Sequence, residues 1–184
     1  MFSLHIDTAR SWRGGQSQVM YTVLGLRSLG HRAVLVAHPE GELRPALEKQ
    51  IRDHHLERHV FLAGFRADAL AMTKGFDVFA MSSVSEGMCT ALVDAMAASK
   101  AAVATTAGGI PEVMVDGSTG FLVRPRDHQA MADKLVTLLR DPGLRTRMGE
   151  AALARARERF TMERMVEGTA AVYARLLGLH THQH

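Results

Sequence analysis

The chain has 184 residues, 47% of them apolar and only 5% aromatic, enough for one domain with an aliphatic, methionine-padded core and too few for two full-sized ones. A net charge of +3 permits attraction to phosphates, but no RNA- or DNA-binding motif accompanies it, so a nucleic-acid partner is not expected and membrane contact is at most peripheral. One cysteine, Cys89, excludes a disulfide framework and a cysteine-based zinc site; with no membrane-length apolar run and no basic leader, the expected compartment is the cytoplasm.

Phe2–Asp7 is a short apolar run that reads as a strand and breaks at a polar, glycine-containing loop, Thr8–Gln16. Val19, Val23, Leu26 and Leu29 then recur at helical spacing, with Gly30 placed to end the helix. Ala33–Ala37 is a continuous apolar run, as expected of a strand covered on both faces. After the turn at Pro39–Gly41, a helix is expected over Leu43–His55, a strand over Val60–Ala63 and a short helix over Asp68–Lys74. Asp77–Met81 reads as a strand, Thr90–Ala98 as a helix and Ala101–Thr105 as another buried strand. Pro111 suits the first position of a helix opening after Gly108–Gly109. A hairpin-like strand, Gly120–Val123, precedes three helices, 128–140, 144–159 and 162–177. The tail from Leu179, with His180, His182 and His184, reads as disordered rather than as a metal site. Strands alternating with helices predict an α/β fold: one Rossmann-like, three-layer α/β/α domain over residues 1–178, with a mostly parallel sheet and extra C-terminal helices.

In such a sheet, ligands sit at the carboxyl ends of the strands. Three segments fall there: Thr8–Gln16, Ser82–Thr90 and Thr106–Glu112. Neither the dinucleotide fingerprint G-x-G-x-x-G nor the phosphate loop G-x-x-x-x-G-K-[ST] occurs. Gly14–Gly15 could cradle a phosphate with Arg10 and Arg13 as charge partners, or form a tight turn beside two surface arginines. Ser85-Glu86-Gly87 precedes a helix, and Asp94 stands eight residues after Glu86. Were the whole stretch helical, the two acids would lie within about 80° and roughly 12 Å of each other. That spacing suits two contacts along an elongated polar ligand and is too long for a shared proton or metal. The plain alternative is an acid at a helix N-terminus and one exposed aspartate. Gly108–Gly109 either keeps side chains out of a cleft or forms an ordinary left-handed turn. With no Asp-x-Asp motif or His cluster near these segments, no metal is expected.

Together these residues resemble the retaining glycosyltransferases of the GT-B fold, family 4. SSVSEGMCTALVDAMAA is similar to that family's E-x7-E segment, AGGIPEVMVDGSTGFLV to its glycine-rich turn, and HVFLAGF and the closing helices also match. Residues from about 43 to 177 resemble most of the C-terminal, donor-binding domain. The resemblance implies a nucleoside diphosphate sugar, of UDP or GDP type, as donor substrate, with no further cofactor. It implies that Glu86 contacts the donor's sugar hydroxyls, with the loop amides near Gly87 and Met88 close to the diphosphate. Asp94 takes the place of the second acid, which holds the ribose, but is shorter by one methylene. Gly64 and Phe65 lie where the family's base-binding loop begins, and Arg66 follows them.

LHIDTARSWRGGQSQVMYTVLGLRSLGHRAVLVAHPEGE, within residues 1–42, resembles instead the opening of the family's N-terminal domain. A first βαβ unit of one half standing in the other half requires strand 2–7 to lie beside strand 77–81 in one parallel sheet. Gly14–Gly15 would then stand at the phosphate loop, with Arg10 or Arg13 as its basic grip. The expected activity is retaining hexosyl transfer, with a second chain, such as a homodimer partner, completing the cleft. The alternatives are a non-catalytic nucleotide-binding module and an inactive hybrid.

Overall fold

The strands β3 (Val78–Met81) and β4 (Ala102–Thr105) are buried at every position. Their side chains divide by alternation: Val78, Ala80 and Val103 join one apolar cluster, Phe79, Met81, Ala102 and Ala104 a second. Successive strand residues point to opposite faces, so a strand buried at every position needs a helical layer on each side. A computed structural model, describing residues 2–7, 32–37, 44–63, 68–87 and 89–177, provides both layers.

β1 (Phe2–Asp7), β2 (Arg32–Ala37), β3, β4 and β5 (Gly120–Val123) form one sheet in the order β2-β1-β3-β4-β5, every pair parallel. Ser3 lies in register with Val78 and Leu4 with Phe79, the adjacency that the borrowed βαβ unit requires. The first cluster takes Leu47 and Ile51 from α1 (Arg44–Asp53) and Met131, Leu135, Leu138 and Leu139 from α5 (His128–Arg140). The second takes Leu92, Ala95 and Met96 from α3 (Thr90–Ala97) and Ile110 and Val113 from α4 (Ile110–Val113). α6 (Pro142–Arg159) serves both, placing Met148 in the first and Ala152 and Ala156 in the second. Met81, Met96, Met114, Met131 and Met148 are all buried, the gap-filling use of methionine that an aromatic-poor core calls for.

Several boundaries differ from the sequence reading. Asp68 caps rather than opens α2 (Ala69–Lys74), and Pro111 is the second residue of α4, after the N-cap Gly109. α6 starts earlier than expected, at Pro142, because the Asp141 carboxylate accepts a hydrogen bond from the Leu144 amide at 2.8 Å. Gly120–Val123 is not the arm of a hairpin: it runs parallel to β4, reached by a crossover through α4. Val60–Ala63 does not form a ladder. The Val60 amide donates back to the Leu56 carbonyl at 2.9 Å, closing a turn, and only Leu62 makes an isolated bridge. Val60 and Leu62 still pack on the first cluster while Phe61 faces out, so the segment keeps a strand's alternation without its hydrogen bonds. The expected first helix and the histidine tail fall outside the described residues.

Candidate functional site

Because the five strands run the same way, Asp7, Ala37, Met81, Thr105 and Val123 end at one edge of the sheet. The chain passes from β1 outward to β2, then returns to place β3 on the other side of β1. The switch in strand order therefore lies between β1 and β3, where a crevice opens in doubly wound sheets. The loop after β3 stands at that switch point. Arg10, Arg13, Gly14 and Gly15, in the segment after β1, lie outside the described residues, as do Gly64, Phe65, Arg66 and Met88.

The loop after β3 is held from beneath. Thr105, at the end of β4, donates its hydroxyl to the Ser83 carbonyl at 2.5 Å, and both Thr105 and Ser82 are buried. Gly108 and Gly109 hold it from the side. Gly108 has φ +51°, the left-handed conformation that disfavours a side chain. A Cβ there would overlap the Glu86 carbonyl oxygen, and one on Gly109 would stand 2.7 Å from the Gly87 carbonyl oxygen. The space left by the two glycines is thus occupied by the Glu86–Gly87 backbone instead of being an open cleft. The second and third sequence segments interlock, and Glu86, half-buried, takes its position from that contact.

Helix α3 begins only at Thr90, with no acid in its first turn. Glu86 therefore stands in the loop ahead of the helix, and the wholly helical spacing to Asp94 does not apply. Asp94 is exposed in the middle of α3, away from the buried side chains Leu92, Ala95 and Met96. Cys89 occupies the N-cap without a side-chain cap bond, its carbonyl accepting from the Leu92 and Val93 amides. Burial, reinforced by the Glu86 charge and opposed by the Leu92 amide, pushes its thiol up to about 11. Among the described residues no group of three or more His, Cys, Asp or Glu is placed to hold a metal ion, and no helix is long and apolar enough to cross a membrane.

A groove of about 770 Å³ opens at the end of the third predicted segment, lined by Pro111 and Glu112 of that segment and by Arg155, Phe160 and Arg164 among others; neither Glu86 nor the pair Gly108–Gly109 lines it. Arg155 donates from Nε to the Val113 carbonyl and from an Nη to the Glu112 carbonyl, both at 2.7 Å, tying α6 to the end of α4. The sequence signal for it is the basic C-terminal third, which reads equally well as a solvated surface.

The family model described as glycosyl transferases group 1 matches residues 6–155. N-acetyl-alpha-D-glucosaminyl L-malate synthase of Bacillus anthracis is 31% identical over 123 residues, 67% of this chain and 32% of that protein. A lipopolysaccharide core biosynthesis mannosyltransferase of Rhizobium leguminosarum is 32% identical over 123 residues, 35% of its own length. The chain thus spans about a third of these curated relatives. Among solved structures, the C-terminal domain of a group 1 glycosyl transferase from Francisella tularensis superposes with a TM-score of 0.78 at 25% identity, covering 88% of this chain and 87% of that one. Anabaena HepE, solved in complex with UDP, superposes with a TM-score of 0.84 at 28% identity, covering 94% of this chain and 48% of that one.

Proposed function

This chain belongs to the glycosyl transferases group 1 family, and we propose that it serves as the donor-binding half of such an enzyme, taking a nucleoside diphosphate sugar at the crevice between β1 and β3. The observation that carries this reading is the interlock of Gly108–Gly109 with Glu86–Gly87, which fixes the backbone of that loop at the carboxyl ends of adjacent parallel strands. Glu86 accepts hydrogen bonds from the sugar hydroxyls, and the amides around Gly87 and Met88 face the diphosphate. Arg10 and Arg13, on the Gly14–Gly15 loop, supply the positive charge that a diphosphate requires. Gly64 and Phe65 border the base, and Asp94 holds the ribose with a shorter reach than glutamate. HepE, a relative solved with UDP and with UDP-glucose, supports the UDP type over the GDP type.

Transfer itself, with retention at the sugar carbon as in family 4, needs a facing domain or second chain to exclude water and present the acceptor. The alternative is a nucleotide-binding module without turnover. Calorimetry of the full chain with UDP, GDP and their sugars tests the first claim. UDP and UDP-glucose should bind saturably, and Glu86→Gln should weaken UDP-glucose by about tenfold while sparing UDP, the loss of one charge-assisted contact. No heat with any nucleotide overturns the donor reading. UDP release from UDP-glucose then separates transferase from silent binder.

A further inference from the structure

The last helix, α7 (Met162–Leu176), contributes no buried residue. Met162, Met165, Val166, Val172, Tyr173 and Leu176 are each between 44% and 74% exposed. At about 100° per residue, all six fall within roughly 60° of a line through Thr169. Glu163, Arg164, Glu167 and Arg175 fall outside this stripe. With Leu177 at its margin, the stripe exposes on the order of 700 Å² of side chain, beyond the largest apolar patch of an ordinary monomer and near one partner's share of a standard interface.

The stripe is also palindromic. Seven residues before Thr169 stands Met162 and seven after it Leu176; four before stands Met165 and four after, Tyr173; three before stands Val166 and three after, Val172. Gly168 and Ala170 flank the centre and leave room for close approach. A pattern that reads alike in both directions is self-complementary under a two-fold axis, the symmetry of a dimer in which one patch meets itself. We propose that α7 is a homodimer interface, packed antiparallel on α7 of a second copy about a two-fold axis at Thr169. In that arrangement Met162 meets Leu176 of the partner subunit, Met165 meets the partner's Val172 and Val166 meets the partner's Tyr173. The polar side carries two acids and two arginines, a balance that suits solvent in a dimer and gives no attraction to an anionic lipid surface.

Light scattering on the full chain should give twice the 20.1 kDa of one copy. Val166→Glu and Tyr173→Glu change exposed positions, leave the helical circular dichroism intact and should weaken association by about tenfold or more. Thr169→Cys, on the axis, should form a disulfide-linked dimer in air, whereas Ala171→Cys, on the opposite side of the helix, should not; Cys89 is buried and gives little background. A monomeric parent protein, a dimer indifferent to both glutamates, equal cross-linking at the two cysteines, or a monomer that sediments with phosphatidylglycerol vesicles overturns the proposal.

Discussion

Gly108 is the residue on which the proposed donor loop turns. Its φ of +51° and the Glu86 carbonyl at the place of its missing Cβ act together, so an alanine there must shift the backbone of both loops. Gly108→Ala should cost at least about 2 kcal/mol in urea denaturation and should abolish nucleotide binding before the fold is lost. Cys89 shows the same neighbourhood through its titration. The folded thiol ionises near pH 11 instead of its ordinary 9.0, so between those values the unfolded chain holds fewer protons than the native one. The stability associated with this group is fully present below about pH 9 and is lost as pH rises toward 11. Measured by urea denaturation across that range, a Cys89→Ala variant should lose less stability than the parent, and the parent's thiol should react slowly with iodoacetamide until the protein unfolds.

At the scale of elements, α6 is fixed by two close approaches. Arg155 ties it to α4, and Gly149 lies against the turn that leads from α3 into β4. A Cβ on Gly149 would overlap the Ser99 carbonyl oxygen and stand 3.0 Å from its carbon. Alanine gains about 1 kcal/mol in helix propensity over glycine, but displacing a packed helix from backbone costs about 1–3 kcal/mol. The overlap wins, and Gly149→Ala should lower the thermal midpoint. Most elements were legible because their cause is local. β3 is apolar at every position, β4 at all but Thr105, and α5 repeats its leucines at helical spacing, whereas the sequence reading places the helix start at Asp141–Pro142 two residues late. Val60–Ala63 has the same apolar alternation, yet the Val60 amide is diverted to Leu56, which no pattern of side chains announces. The direction of β5 was hidden likewise, since the four-residue helix α4 that carries the crossover is too short to leave a period of its own. Of the candidate site, small residues around Glu86 signalled a loop at a strand end. That the glycine pair Gly108–Gly109 would be filled by this loop is a contact between distant segments, and local spacing does not contain it.

For the whole molecule, strand order has a consequence for how the chain is made. β1 lies inside the sheet, with β2 on one side and β3 on the other. Its partner on the first side follows soon after, but the register Ser3↔Val78 sets a much longer wait on the second. At ordinary translation rates of about 5–20 residues per second, β1 and β2 leave the ribosome several seconds before β3 exists. During that interval one edge of β1 has no hydrogen-bonding partner from its own sheet, which makes it a template for a neighbouring nascent chain. Closing the sheet then requires a long loop to be gathered before any pairing offsets its entropy. The same arrangement that sets β3 beside β1 makes that junction a late product of folding, so a chaperone holding the nascent protein would meet the pair β1–β2 well before the donor loop.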